Sequence, residues 1–210
     1  MISLLVALAK GDDIRLVTTN VTVNVAVPDA SPVGVASTMT IGGMVGPIES
    51  VTVHLDITGG FNGDLYAYLL SPHGEMVVLL NRVGVNSGNA FGAGDSGFNI
   101  TLDSASGNNI HDASSGSGQL TGTWAPDSRN IDPLAIQTAF DANPAGSTLV
   151  SLDGFDPNGL WTLYLADVSV GGESAFVSWG LTIITVPEPQ TWTLFGGSLA
   201  AFWMMNRRRK

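Results

Sequence analysis

Apolar and polar residues alternate along several short stretches of this chain, the period expected of strands that bury one face. In residues 17–27 the valines fall largely on one face, and threonine and asparagine fall largely on the other. Residues 51–57 repeat the alternation, with Val51, Val53, Leu55 and Ile57 on one side. Further strands are predicted at residues 65–70, 76–80, 98–102, 160–166 and 176–184.

Turn-forming residues separate these stretches. Gly59-Gly60, Asn62-Gly63 and Asn158-Gly159 bound the predicted strands, and such pairs favour tight turns. Several short strands at this spacing indicate an antiparallel β-sandwich. Residues 85–122 are rich in Gly, Ser and Asn and are expected to include a long loop. One short helix is expected from an N-cap at Asp132, with Ile136 and Phe140 on one side.

Charge restricts the classes of partner. The formal net charge is −10, and four of the eight basic residues are the last four of the chain. Residues 1–206 therefore hold four basic against 18 acidic residues, a formal −14. A protein region this acidic repels the phosphate backbone of nucleic acids, so nucleic acid is excluded as a partner. The chain has no cysteine, so disulfides, thiolate zinc sites and cysteine nucleophiles are excluded as well.

The C-terminal segment differs from the rest. Pro187-Glu188-Pro189 ends the strand pattern, an uncharged apolar run follows over residues 191–205, and Arg207, Arg208, Arg209 and Lys210 close the chain. As a helix, residues 190–206 would span roughly 25 Å, somewhat less than the roughly 30 Å hydrocarbon core. The segment predicts a C-terminal transmembrane helix whose basic end stays cytoplasmic. A simple tail anchor and a buried helix of the domain are the alternatives.

The order of these three parts resembles the PEP-CTERM sorting signal of Gram-negative bacteria, here over residues 187–210. The resemblance implies processing by an exosortase, a membrane cysteine protease-transpeptidase. It also implies transient anchoring in the inner membrane and delivery to the cell surface or extracellular matrix. The residues that would form the sorting signal are Pro187, Glu188, Pro189, Arg207, Arg208 and Arg209.

The N-terminal residues allow two interpretations. Ile2 to Ala9 is apolar, and Ala7-Leu8-Ala9 would suit a signal peptidase. No basic segment precedes it, and the apolar stretch is short. We favour a truncated signal peptide or leader within residues 1–16, with a first strand as the alternative.

The body, residues 17–186, carries a second resemblance. Its motifs are Gly63-Asp64-Leu65, Ser71-Pro72-His73-Gly74, Leu79-Leu80-Asn81-Arg82, Asn158-Gly159-Leu160-Trp161-Thr162-Leu163, Ala166-Asp167 and Trp179-Gly180-Leu181. Together these motifs resemble the P domain (P/Homo B domain) of kexin- and furin-type proprotein convertases, from about residue 28 to residue 185. The resemblance implies a jelly-roll β-sandwich of the galactose-binding-like class. It also implies an association with proteolysis, because P domains usually follow a subtilisin-like protease and help it to fold.

The residues themselves do not indicate catalysis. A subtilisin-type triad needs a histidine base beside a serine nucleophile, and the chain offers only His54, His73 and His111, with no Gly-x-Ser-x-Gly turn. A pair of glycosidase carboxylates cannot be recognised among fourteen aspartates. We therefore predict no catalytic residues.

Calcium is the one cofactor that the residues suggest. Asp64, Asp95, Asp103 and Asp167 lie in or beside loops, where carboxylates and free carbonyls can supply the oxygen ligands that calcium needs. The alternative is that these aspartates only form turns, and Asp64 in particular would cap the strand after it.

Aromatic and cationic side chains have simpler roles. Trp161 and Trp179 are expected in the core, whereas Trp124 is a candidate for exposed recognition. Arg82 and Arg129 are each expected to pair with a nearby aspartate.

Three functions remain open. The leading one is an exported, non-enzymatic protein of the cell surface or extracellular matrix, with a structural or adhesive module. The second is a calcium- or carbohydrate-binding module for matrix polysaccharide. The third is an accessory chain to a secreted, subtilisin-like serine endopeptidase.

Overall fold

A computed structural model describes residues 2–8, 15–142 and 146–186, with side chains from residue 17 onward. Strands dominate these residues and form two sheets packed as a sandwich. The expectation of an all-β fold is confirmed in this form.

The described residues form ten strands, in this order: β1 (Ile2–Leu8), β2 (Arg15–Val27), β3 (Ser31–Ile41), β4 (Ile48–Gly59), β5 (Leu65–Leu70), β6 (Met76–Asn81), β7 (Gly97–Leu102), β8 (Leu120–Trp124), β9 (Gly159–Asp167) and β10 (Ser174–Thr185). A single helical turn, α1 (Thr138–Asp141), lies between β8 and β9. Three 3₁₀ turns cover Asn62–Asp64, Ile110–Asp112 and Leu149–Leu152.

The chain crosses repeatedly from one sheet to the other. One sheet has six strands in the order β1-β2-β10-β4-β7-β8, and the other has four in the order β3-β9-β5-β6. Neighbouring strands are antiparallel except β7 and β8, which are parallel. Strands adjacent in a sheet are therefore often distant in sequence, so loops from separate parts of the chain meet at the ends of the sandwich.

The core lies between the two sheets. The alternating apolar positions of β4 all point into it, and Val53, Leu55 and Ile57 are completely buried. Trp161 and Trp179 are also fully buried, which confirms their predicted place in the core. Each indole N–H has an acceptor, Pro157 O for Trp161 and Ser37 Oγ for Trp179, so neither leaves a buried donor unpaired.

Two strands were not predicted. β3 contains Pro32 and Gly34, which interrupt the alternation, and β8 has Gly122 at its centre. The residues of both strands have a weak preference for strand conformation, and each strand forms because it pairs with a neighbour, β3 with β9 and β8 with β7. The stretch 85–122, expected to include a long loop, contains the predicted strand β7 and the start of β8, with loops on both sides of β7.

The helix expected from Asp132 is wrong. The Asp132 carboxylate accepts a 2.9 Å hydrogen bond from Leu134 N, and its carbonyl accepts one from Ala135 N, so this segment closes a turn. The helical turn begins only at Thr138. Phe140 is buried, but Ile136 is 72% exposed, so the two do not share a buried face.

The structure describes part of the N-terminal segment but not the C-terminal segment. Residues Ile2–Leu8 form an edge strand antiparallel to β2, the alternative interpretation of this segment, and removal of residues 1–16 stays a prediction. Residues 187–210, with the expected transmembrane helix and sorting signal, lie outside the described residues. Within residues 2–8, 15–142 and 146–186, no helix has the length and apolarity needed to cross a membrane.

Candidate functional site

A buried network of charged side chains joins the segment after β8 to the 3₁₀ turn that precedes β8. His111 Nδ1 lies 2.7 Å from Asp127 Oδ2, and Arg129 Nη1 lies 3.0 Å from the other oxygen, Oδ1. Asp127 is completely buried, while His111 and Arg129 are nearly so. A histidine beside a buried aspartate is also the arrangement that orients a catalytic base, so its remaining contacts decide its role.

The second ring nitrogen of His111 is already engaged. His111 Nε2 lies 2.9 Å from the carbonyl oxygen of Val85, which can only accept. Asn81 N donates to Asp127 Oδ2, and Arg129 Nε donates to Phe140 O. Both ring nitrogens of His111 therefore bind other groups of the protein, and neither is free to activate a nucleophile. The network instead holds the connecting loops in place.

A cavity of about 300 Å³ opens at one end of the sandwich. Three connections form it: the β4–β5 turn, the loop after β6, and the β9–β10 turn. Its lining residues are Phe61, Asp64, Phe91, Gly92, Gly94, Ser169 and Val170.

Two aspartates lie buried next to this cavity. Asp167 is the register partner of Leu65, so it sits beside Asp64, and Val168 N donates to Asp64 O over 2.9 Å. Burial raises the pKa of Asp167 to about 6, and the carboxylates of Asp64 and Asp29 add to the rise. Burial also raises the pKa of Asp64, against the opposing charge of Arg82.

Close backbone packing shapes the cavity wall. A Cβ at Gly63 would collide with Phe91 O and would lie 2.9 Å from Gly92 Cα, so the two loops touch through glycines. The Asn62 side chain fixes the turn, because its Oδ1 accepts from Gly97 N and its Nδ2 donates to Gly97 O. Gly63 N donates to Ala93 O. The wall is therefore built from hydrogen-bonded backbone.

A second cavity, of about 440 Å³, lies on the other side of the loop after β6. Gly92 and Gly94 line both cavities. His111 also lines this second cavity, but its ring nitrogens are occupied as described above.

The four aspartates predicted as calcium ligands do not form one cluster. Asp64 and Asp167 are neighbours, whereas Asp95 accepts hydrogen bonds from the backbone and hydroxyl of Ser115. Asp103 accepts from Ala105 N, as a turn former does. In the described part of the chain, no three His, Asp or Glu side chains converge to hold a metal ion. Calcium binding stays a prediction.

The other singled-out residues take clear positions. Arg129 pairs with Asp127, as expected. Arg82 does not pair with an aspartate: its Nε donates to Gly63 O and its Nη2 to Ala90 O, which corrects that expectation. Trp124 is half-buried in β8, packs against the core and donates to Thr121 O.

Sequence reasoning did not find the pairing of His111 with Asp127. The two residues are 16 positions apart, with β8 between them, and no local pattern couples them. Both side chains need a hydrogen-bond partner when they are buried, but their burial cannot be known before the fold is known.

One family is shown by the comparison with known families. The sequence model of the proprotein convertase P-domain matches residues 48–183. Two solved structures are similar: the serine protease of Aeromonas sobria in complex with a chaperone, with a TM-score of 0.42, and the same protease alone, with a TM-score of 0.40. Each is 16% identical and covers 81% of this chain, which spans only 27% of either structure. No curated protein matches the chain.

Proposed function

Because this chain belongs to the proprotein convertase P-domain family, we propose that it is a non-catalytic accessory module that binds and stabilises a serine protease domain. The observation that carries the proposal is the family match over residues 48–183, which runs from the start of β4 into β10 and includes strands of both sheets. The partner would be a subtilisin-like serine endopeptidase, the protease type that P domains accompany.

The buried charges support a structural role within the module. The side chains of this network resemble parts of a catalytic site, namely His111, Asp127 and Arg129. Their hydrogen bonds, however, are made to backbone groups and to one another. An accessory module needs such loops to be rigid, because a surface that is already ordered loses less entropy on binding.

We also infer that the sandwich is a jelly roll of the galactose-binding-like class. The support is the strand order. Without the edge strands β1 and β8, the sheets read β2-β10-β4-β7 and β3-β9-β5-β6. This order places the first of eight strands beside the last in one sheet, and the second beside the seventh in the other, as two nested Greek keys require.

The accessory role can be tested with purified proteins. The full chain is mixed with each secreted subtilisin-like protease of the same bacterium, and the half-life of protease activity is measured at rising temperature. We expect one protease to bind the chain and to survive longer in its presence. The heat-unfolded chain serves as control. If no protease binds at micromolar concentration and no half-life changes, the proposal is wrong.

A second function, an exported surface module, is favoured by the three-part composition of residues 187–210. In this proposal an exosortase processes the tail, and the domain reaches the cell surface or matrix of a Gram-negative bacterium. Intact-mass analysis of the protein from the cell surface and the medium tests it. A species ending near Pro189 supports processing, whereas a Lys210 terminus retained in the inner membrane contradicts it.

A further inference from the structure

Three apolar side chains stand exposed around the mouth of the 300 Å³ cavity. Phe61 is 45% exposed, Phe91 is 81% exposed and Val170 is 79% exposed. They belong to three different connections, so the fold gathers them at one place. Apolar side chains that gather beside a cavity are typical of surfaces that bind ligands or partners.

A carboxylate lines the same cavity. Asp64 is 4% exposed, and the two ion pairs that the structure shows among its described residues both involve Asp127. Arg82 is the cation that acts on Asp64, but its Nε and Nη2 donate to carbonyl oxygens. Among the described residues no direct salt bridge therefore reaches the Asp64 carboxylate, although the Ser169 side chain hydrogen-bonds to it.

The chemistry of the lining excludes most ligand classes. An anion would meet Asp64 and the acidic body behind it. A purely apolar ligand would leave the buried Asp64 carboxyl without a counter-charge, which is unfavourable. A calcium ion needs six to eight oxygen ligands, whereas a single carboxylate residue lines this cavity.

A ligand with an apolar stem and a terminal positive charge satisfies both parts of the lining. We propose that the cavity binds one lysine or arginine side chain of a protein partner. The charged group would contact the Asp64 carboxylate, and Phe61 and Phe91 would pack on the stem or face the cation. A volume of about 300 Å³ is at the small end for ligand sites, which suits one side chain.

This site does not depend on the proposed accessory function, because free peptides can probe it. Acetylated, amidated pentapeptides with a central lysine, arginine, norleucine or glutamate in a glycine background are titrated into the full chain by calorimetry. We expect saturable binding of the lysine or arginine peptide. Norleucine has a similar stem without the charge, and we expect it to bind about 30-fold more weakly, because the charge pair is lost.

Variants separate the two parts of the site. Asp64→Asn should weaken binding of the basic peptide about 30-fold, and Phe91→Ala should weaken it about 3-fold. Phe91 is so exposed that its truncation should leave the fold intact, which keeps the test valid if Asp64→Asn fails to fold. Asp132→Asn, an exposed aspartate outside the cavity lining, serves as the matched control and should not change binding.

Several results would overturn the proposal. Equal binding of the norleucine and lysine peptides would show that Asp64 does not recognise charge. Absence of saturable binding by either basic peptide would also refute it, as would calcium binding that is lost in Asp64→Asn while the peptides do not bind. If the basic peptides bind but no protease does, the proposed side-chain site is supported and the accessory function is wrong.

Discussion

His111 Nδ1 and Asp127 Oδ2 are 2.7 Å apart in the interior of the protein. The contact joins the Ile110–Asp112 turn to the segment after β8, and Asp127 continues it to β6 through Asn81 N. A carboxylate with no solvent exposure is stable here only because donors surround both of its oxygens.

Asp127→Asn should destabilise the protein strongly. Both oxygens of Asp127 accept from donors, Oδ2 from His111 and Asn81 and Oδ1 from Arg129. An asparagine has one acceptor oxygen, so its NH₂ group would face a donor, and Arg129 would lose its counter-charge. We expect a loss of about 3–5 kcal/mol in the free energy of unfolding, measured by urea denaturation.

The control for this variant is Asp132→Asn. Asp132 is exposed and accepts a single turn hydrogen bond from Leu134 N, which asparagine can also accept. We expect a change of less than about 0.5 kcal/mol. Similar small losses in both variants would mean that the buried network is not important for stability.

Asp167 should make stability depend on pH. Its pKa is raised to about 6 in the folded protein against 3.8 ordinarily, so the folded state holds its proton more tightly than the unfolded chain does. Its contribution to stability is therefore largest below about pH 4 and falls as the pH rises to about 6. Asp167→Asn removes this titration.

The measurement compares urea midpoints of the wild type and Asp167→Asn between about pH 4 and about pH 7.5. The wild type should lose stability relative to the variant as the pH rises through this window. A difference that does not vary with pH, or that varies in the opposite direction, would contradict the assignment.

Gly63→Ala should loosen the cavity wall. The added Cβ would collide with Phe91 O, a backbone atom that cannot swing aside. We expect a loss of about 1–3 kcal/mol from overpacking, together with weaker binding of the basic peptides. Gly42→Ala is the matched control, because nothing lies within 4 Å of its Cβ. Two equally stable variants would refute the close contact between the loops.

Tyr68 and Tyr164 should stabilise each other on the outer face of the four-stranded sheet. They are cross-strand partners, with ring centroids 4.8 Å apart and an interplanar angle of 20°. A double-mutant cycle to alanine should give a coupling of about 0.5–1.5 kcal/mol. Tyr68 and Thr182, in different sheets, should be additive within about 0.3–0.5 kcal/mol. A tyrosine coupling no larger than that would contradict the stacking.

The sequence predicted those strands in which apolar and polar residues alternate with a period of two. Residues 51–57 show it clearly and form the centre of β4. β3 was missed because Pro32 and Gly34 break the alternation, and only its partner β9 makes it a strand. The helix expected at Asp132 failed for a related reason, since the same side chain can cap a helix or close a turn.

Two aspartates of the candidate site were predictable from the sequence, but their arrangement and the other residues of the site were not. Asp64 and Asp167 were both singled out, from their loops and from motifs of the P domain. Their proximity depends on the pairing of β5 with β9, strands about a hundred residues apart. The exposed positions of Phe91 and Val170 had no sequence signature, since an apolar residue in a loop can be buried or exposed.

The sequence by itself determined the β class, the acidic composition and the turns, because periodicity, charge and turn chemistry are local and need no partner. The family was indicated by the resemblance of its motifs. Only the tertiary structure decided that His111 meets Asp127, that Arg82 binds carbonyls, and that Asp64 lines a cavity rimmed by phenylalanines. These contacts depend on burial and on strand order, which arise when distant segments pack together.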